Sequence, residues 1–243
     1  MGKDENNAMW MIPSGITMMN FGAGVFAIVM ASLNMYLESA LFILAAALFD
    51  LFDGLVARLI DACSQIGVEL DSLADAISFG LAPSFLMYRL LLDWQFPAWM
   101  LFLVFLPAAT AVIRLAIFNV RHHKKSHFVG MAVPASALFH AGIILSFSLT
   151  DHSWLLQMTT TKIFWAVSCL ATSVLMLVPV RMFSLKITGF SWRNNKLIWV
   201  FLAASVILII LFQFVALPMI ILLYVILSFV HHFISTHNKT YEL

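Results

Sequence analysis

The stretch DLFDGLVARLIDACSQIGVELDSLAD, residues 50–75, places six carboxylates at the junction of two apolar segments. Two of these acids, Asp61 and Glu69, fit helix-end side chains that reach water. Ionisable groups inside the hydrocarbon of a bilayer are costly, so the other four are candidates for a functional site. The stretch therefore predicts a helical membrane protein and also indicates where its site lies.

The composition of the whole chain favours a membrane protein. Of its 243 residues, 63% are hydrophobic and 10% are charged, and the formal net charge is +1. A soluble domain usually carries about 25% charged residues, so an ordinary soluble globule and a disordered chain are both excluded. Nucleic acid is not expected as a partner, because binding it would require a concentrated basic surface.

Hydropathy predicts an all-α bundle of about eight transmembrane helices, each near the 20 residues that a bilayer requires. The last two are separated by a few residues around Pro218 and could form one interrupted segment. We expect a single domain over residues 1–243, with an interfacial segment at 1–11, a core at 12–190 and a C-terminal helix pair at 197–235. The predicted spans are 16–33, 39–59, 68–91, 99–119, 129–150, 161–180, 197–214 and 218–235.

The distribution of Lys and Arg predicts the orientation of the bundle. If eight spans alternate and both termini are cytoplasmic, eleven of these residues fall on the inner side and two, Arg89 and Lys162, on the outer side. Cytoplasmic loops are enriched in Lys and Arg. We therefore expect both termini and the acidic stretch to face the cytoplasm.

Four of the aspartates have the spacing of two facing helix surfaces. At about 100° per residue, Asp50 and Asp53 lie roughly 60° apart on one helix, and Asp71 and Asp75 roughly 40° apart on the next. Four carboxylates in one low-dielectric volume repel each other, so a cation must lie between them. Carboxylate oxygens suit Mg²⁺, Mn²⁺ or Ca²⁺. Four of them suffice for two divalent ions about 3.5–4 Å apart, as in phosphoryl transfer.

The residues that accompany the aspartates favour a phosphate ligand. Arg58 offers a fixed positive fork to phosphate oxygens. Gly54, Ala57 and Gly67 carry little side chain, so a base or a phosphate could approach the backbone there. For Ala57, a role in packing against another helix is equally open.

The eight positions Asp50, Asp53, Gly54, Ala57, Arg58, Gly67, Asp71 and Asp75 match without a gap the signature of the CDP-alcohol phosphotransferase family, which the chain resembles. The resemblance implies a membrane-embedded helical enzyme with a six-helix core. Such an enzyme transfers a substituted phosphate from a CDP-linked donor to an alcohol and releases CMP. It also implies that the four aspartates ligate two metal ions, that Asp75 acts as the general base, and that the remaining four residues bind the nucleotide and its diphosphate.

Further segments resemble the bacterial and archaeal phosphatidylserine synthases of that family. The resemblance implies CDP-diacylglycerol and L-serine as substrates, a prokaryotic cytoplasmic membrane and a homodimer. The chain departs from the pattern at Ser14, Ile117 and Ala132, so glycerol 3-phosphate, inositol and choline stay open as acceptors. The similar segments are Ile12, Pro13, Thr17 and Asn20 near the start, then 70–84, 114–119, 128–134 and 181–186.

Serine carries a carboxylate and an ammonium, so its pocket should pair a cation with a polar acceptor. Arg114, Asn119 and Arg121, at the inner end of the fourth span, are the candidates. Ser78 shares a helix face with Asp75 and could line the donor cavity, although bonding to its own backbone is equally plausible.

Two other classes of protein fit the sequence less well. A divalent-cation transporter needs polar groups distributed through the depth of the membrane. Spans one, five, six and eight are almost free of ionisable residues, and the acids crowd one end. A structural scaffold would leave four convergent aspartates without a purpose.

Overall fold

A computed structural model describes residues 11–60, 64–121, 130–150, 153–180, 182 and 196–240, with the backbone alone at 121, 153, 196 and 233–240. Every regular element in these ranges is helical, which confirms the all-α class. The helices are α1 Met11–Ser32, α2 Tyr36–Leu59, α3 Gln65–Asp75, α4 Ala82–Asp93, α5 Ala98–Leu103, α6 Leu106–Arg121, α7 Val133–Leu149, α8 Ser153–Thr159, α9 Lys162–Leu177, α10 Lys196–Phe212 and α11 Ala216–Thr240.

Five helical stretches of the described residues are long and apolar enough to cross a membrane, and α7 and α9 are shorter apolar helices. An integral membrane protein follows from these lengths and compositions. The number of eight crossings and the cytoplasmic position of both termini stay predictions. The predicted interfacial segment at 1–11 lies, apart from Met11, outside the described residues.

The C-terminal pair breaks earlier than the sequence suggested. A short 3-10 turn, Gln213–Val215, separates α10 from α11, and Gln213 has a positive φ of 47°. Pro218 lies in the first turn of α11, where its missing N–H and fixed φ are tolerated. Pro218 therefore lies inside the beginning of the second helix of the pair, and the break precedes it.

Helices α1 and α2 pack closely through small side chains. The buried face of α1 carries Ala23, Gly24, Ala27 and Ala31, and α1 and α2 contact each other along much of their length. Ser39 of α2 donates a hydrogen bond of 2.8 Å to the carbonyl of Ala27. Small residues allow this close approach between membrane helices, so α1 packs against and supports the helix that carries Asp50 and Asp53.

A π-helical turn, Ala76–Leu81, joins α3 to α4 directly after Asp75. The turn is held from two sides. Ser78 donates a 2.9 Å hydrogen bond to the carbonyl of Asn20 in α1, and Gly80 lies against Ala108 and Ala111 of α6. Such turns occur frequently at functional sites, because the extra residue re-aims the side chains beside it.

A cluster of polar side chains joins the same helices at the end opposite to the aspartates. The Tyr36 hydroxyl donates to Asp93, Arg89 donates to the Asn34 side chain, and Arg89 pairs with Asp93 at 3.8 Å. These contacts tie the α1–α2 turn to the end of α4. The end of the bundle away from the acidic stretch is therefore fixed by hydrogen bonds and one ion pair.

Gly24 is expected to tolerate no side chain. A Cβ at this position would collide with the Oγ and Cα of Ser78, whereas a Cβ at Gly22 would meet nothing within 4 Å. Gly24→Ala should therefore destabilise the protein by about 1–3 kcal/mol through overpacking. Gly22→Ala is the matched control, since it makes the same change in helix propensity in α1. Thermal unfolding in detergent, followed by circular dichroism, measures both; equal transition temperatures would contradict the expectation.

Candidate metal centre and active site

Three aspartates from two helices converge at one point. Asp50 and Asp53 of α2 and Asp71 of α3 each offer a carboxylate oxygen, and these three oxygens lie within 4.8 Å of one another. Asp53 is 6% exposed, and the other two are partly buried. The structure thus brings together three of the four predicted metal ligands.

Asp75 stands beside this cluster, one helical turn beyond Asp71. Its side chain is 7% exposed, and its Oδ1 accepts a 3.2 Å hydrogen bond from Nδ2 of Asn20. It interacts electrostatically with Asp50, Asp53 and Asp71. Asp75 is therefore a neighbour of the cluster without being one of the three residues whose oxygens lie within 4.8 Å.

The residues present fit a divalent cation. Oδ1 of Asp71 is buried and has no hydrogen-bond partner among the described residues. An unpartnered buried carboxylate oxygen is costly, and two further carboxylates beside it increase the cost. Oxygen-only ligands suit Mg²⁺, Mn²⁺ or Ca²⁺, so the cluster could hold such an ion.

Two residues of α1 complete the surroundings of the cluster. Oγ1 of Thr17 lies 2.7 Å from Oδ2 of Asp53, to which it donates, and Asn20 donates to Asp75. Both side chains are almost fully buried. In the sequence, Thr17 and Asn20 were indicated only by the family resemblance, with no role of their own. Ser14, Thr17 and Asn20 are buried polar residues at three-residue intervals in a largely apolar helix, and this pattern was the signal for such a role.

The predicted nucleotide residues lie at the same end of the bundle. Arg58 is exposed, and its Nε donates a 2.8 Å hydrogen bond to the carbonyl of Gly54. A Cβ at Gly54 would meet only the Arg58 side chain within 4 Å, so the space around this glycine is open. Ala57 is half-buried on the same helix. Contact of these residues with a nucleotide stays a prediction.

Gly67 has a local structural reason as well. Ser64 caps the N-terminus of α3, and its Oγ accepts a 3.0 Å hydrogen bond from the Gly67 N–H. A Cβ at Gly67 would lie 3.0 Å from the same oxygen. The small residue therefore suits the cap, and a part in nucleotide binding stays a prediction.

The predicted acceptor residue Arg114 lies within electrostatic range of one of the four aspartates. It interacts electrostatically with Asp75 and with Tyr224 of α11, and its Nε is buried without a hydrogen-bond partner among the described residues. A buried, incompletely bonded guanidinium near the aspartates is suited to receive an anionic group. The side chain of Arg121 lies outside the described residues.

Asn119 and Ser78 are already bonded to neighbouring helices. Oδ1 of Asn119 accepts from Ser72 at 3.0 Å, and its Nδ2 donates to Glu69 at 3.1 Å, which joins α6 to α3. Ser78 is fully buried and donates to α1. Both residues thus form hydrogen bonds between helical elements, and their contact with a substrate stays a prediction.

Comparison with known proteins bears directly on this site. The CDP-alcohol phosphatidyltransferase family model matches residues 10–167, which include all of α1–α6 and the four aspartates. A protein of Bacillus subtilis named CDP-diacylglycerol–serine O-phosphatidyltransferase is 36% identical over 137 residues, covering 56% of this chain and 76% of that protein.

Two further relatives carry the same name. One of Helicobacter pylori is 29% identical over 199 residues, covering 81% of this chain and 82% of the relative. One of Mycobacterium bovis is 36% identical over 140 residues, covering 55% of this chain and 48% of the relative. The match therefore spans about half the length of the mycobacterial relative and most of the other two.

Removal of one carboxylate should weaken metal binding. We expect Asp71→Asn to raise the dissociation constant for Mn²⁺ by at least about tenfold, since loss of even an outer partner of a ligand costs 10–100-fold. Glu38→Gln is the matched control, because Glu38 lies in the first turn of α2, at the opposite end from Asp50 and Asp53. The free Mn²⁺ signal in electron paramagnetic resonance measures the affinity. Unchanged binding by Asp71→Asn would remove this residue from the centre.

Proposed function

The chain belongs to the CDP-alcohol phosphatidyltransferase family, and from this premise we propose that it transfers the phosphatidyl group of CDP-diacylglycerol to the hydroxyl of L-serine. The products are phosphatidylserine and CMP. The observation that carries the proposal is the convergence of Asp50, Asp53 and Asp71, with Asp75 beside them, at one end of a bundle of apolar helices.

The four aspartates are assigned to two divalent cations, Mg²⁺ or Mn²⁺, with Ca²⁺ as a further candidate. When bound, the ions would neutralise the diphosphate of the donor and stabilise the charge that develops during displacement. Arg58 at the exposed rim supports this assignment, because its guanidinium can bind diphosphate oxygens in a forked geometry. Gly54, Ala57 and Gly67 leave room for the nucleotide along the backbone.

Asp75 is assigned as the general base. It takes the proton of the serine hydroxyl while the serine oxygen forms a bond to the phosphatidyl phosphorus. The bond from that phosphorus to the oxygen bridging it to CMP breaks, and CMP leaves with the bridging oxygen. The position of Asp75 beside the cluster of Asp50, Asp53 and Asp71, and not among its three closest oxygens, supports this role.

Serine as the acceptor is supported by two observations. The relatives from Bacillus subtilis, Helicobacter pylori and Mycobacterium bovis are named for serine. In this chain, Arg114 supplies a positive charge inside the bundle near Asp75, where the serine carboxylate could bind. Asn119 and Arg121 lie at the C-terminal end of the same helix, α6, and are also assigned to acceptor binding.

The bilayer determines how the donor reaches the aspartates. Its acyl chains stay among the lipids and its head group enters between helices, so no closed apolar pocket is needed. The excess of Lys and Arg on one side supports eight crossings, both termini in the cytoplasm and a site facing the cytoplasm of a prokaryotic cell. A homodimer is proposed from the family resemblance.

One assay tests the reaction and its acceptor together. The purified protein is given CDP-diacylglycerol, Mg²⁺ or Mn²⁺, and in separate reactions serine, glycerol 3-phosphate, inositol or choline. We expect CMP release and a new lipid with serine alone, both measured by mass spectrometry. Consumption of another alcohol would overturn the serine assignment, and no CMP release with any alcohol would overturn the reaction class.

The base assignment predicts a large loss of rate in Asp75→Asn. An amide cannot accept the hydroxyl proton, so CMP release should fall by at least about a hundredfold, the usual contribution of a general base. Glu38→Gln again serves as the control for loss of a carboxylate. Turnover by Asp75→Asn within a few-fold of the wild type would exclude Asp75 as the base.

A further inference from the structure

We propose that Thr17 and Asn20 of α1 are positioning residues of the active centre, which orient Asp53 and Asp75 through hydrogen bonds. The inference rests on the proposed function, since it assigns parts in that reaction to these two residues. Each residue donates to one oxygen of its aspartate, at 2.7 Å for Asp53 and 3.2 Å for Asp75.

One face of one helix reaches carboxylates from two different helices. Thr17 and Asn20 are three residues apart, so they lie on the same side of α1. Asp53 belongs to α2 and Asp75 to α3, and these helices are joined through residues 60–64. Because α1 donates a hydrogen bond to each aspartate, it can fix the separation of the two carboxylates.

Asn20 holds the chain at two points around Asp75. Its side chain donates to the carboxylate, and its carbonyl accepts from Ser78, three residues beyond Asp75. Ser78 lies in the π-helical turn, where the direction of neighbouring side chains differs from that in a regular helix. Gly24, one turn further along α1, allows Ser78 to approach the α1 backbone. The position of Asp75 is therefore fixed both through its carboxylate and through the backbone on its C-terminal side.

The chemistry of the two donors suits a metal centre. Thr17 and Asn20 are neutral, so they orient the carboxylates without cancelling the negative charge that attracts a divalent cation. A Lys or Arg in the same place would form an ion pair and compete with the metal. Carboxylates that bind metals are commonly held by such outer hydrogen bonds, and loss of one costs about 10–100-fold in metal affinity or activity.

Burial of the Asn20 amide carries a cost in stability that an apolar residue at the same position would avoid. It is fully buried, and its Oδ1 has no hydrogen-bond partner among the described residues. A buried unsatisfied polar atom destabilises the folded state, whereas an apolar side chain of similar shape carries no such cost. The hydrogen bond that the side-chain N–H donates to Asp75 explains why an amide occupies this position.

The test compares variants that remove each donor with variants that keep it. Thr17→Val and Asn20→Leu retain the approximate shape and lose the donor, while Thr17→Ser retains the hydroxyl. Ser39→Ala is the matched control, because Ser39 makes a buried 2.8 Å hydrogen bond between α1 and α2 that involves no carboxylate. Asn20→Ala is the second variant at that position if Asn20→Leu does not fold. All are made in the full chain, in lipid nanodiscs.

Three measurements are made on each variant: thermal unfolding, Mn²⁺ affinity by electron paramagnetic resonance, and CMP release over a range of Mn²⁺ and serine. We expect Thr17→Val to weaken Mn²⁺ binding by about 10–100-fold, with its kcat largely restored at saturating Mn²⁺. Asn20→Leu should lose kcat even at saturating Mn²⁺, since it affects the base. Thr17→Ser should bind Mn²⁺ like the wild type, and Ser39→Ala should change the unfolding temperature alone.

The inference is overturned if Thr17→Val and the Asn20 variant lower the unfolding temperature as Ser39→Ala does, while their Mn²⁺ affinity and kcat match those of the wild type. It is also overturned if Thr17→Ser loses as much Mn²⁺ affinity as Thr17→Val. If the wild type releases no CMP with any alcohol, the proposed function fails by itself. The order of Mn²⁺ affinities among the Thr17 variants then still decides whether that residue orients the metal centre.

Discussion

Repulsion between buried carboxylates is the constraint on which the rest of this structure depends. Oxygens of Asp50, Asp53 and Asp71 lie within 4.8 Å of one another at the end of apolar helices, and Asp75 stands beside them. Such carboxylates repel one another where burial limits their contact with water, and a cation between the oxygens offsets that repulsion. The structural requirement for a cation and the chemical use of a cation in phosphoryl transfer therefore coincide at one place.

Helix α1 gives the centre its rigidity, although it contributes none of the carboxylates. Its small residues bring α2 close, and Gly24 makes room for the π-helical turn after Asp75. Two of its buried polar residues, Thr17 and Asn20, donate hydrogen bonds to Asp53 and Asp75. At the far end, the contacts of Asn34 and Tyr36 with Arg89 and Asp93 hold the same helices together. The reacting end can thus carry unfavourable charge because the remaining length of the helices is well packed.

Several features of the site could not be read from spacing alone. Helical periodicity placed Asp71 and Asp75 on one face of α3, but the π-helical turn that begins at Ala76 changes the direction of the side chains beyond it. Ser78 was a candidate to line the cavity beside Asp75 or to bond to its own backbone, and its hydroxyl bonds to the backbone of α1. Asn119 was a candidate for binding the acceptor, which stays a prediction, and its side chain also joins α6 to α3. In each case the partner lies about 50 residues away in the chain, so no local pattern could indicate it.

The sequence by itself determined the all-helical membrane class, the family and the aspartates of the centre, because hydropathy and residue spacing within one helix are local properties. Tertiary structure alone decided which oxygens meet, that Asp75 stands next to the tightest group, and that Thr17 and Asn20 serve Asp53 and Asp75. These outcomes depend on how α1, α2 and α3 pack against one another. That packing depends on contacts between small residues on different helices, so it cannot be predicted from the residue order of any one helix.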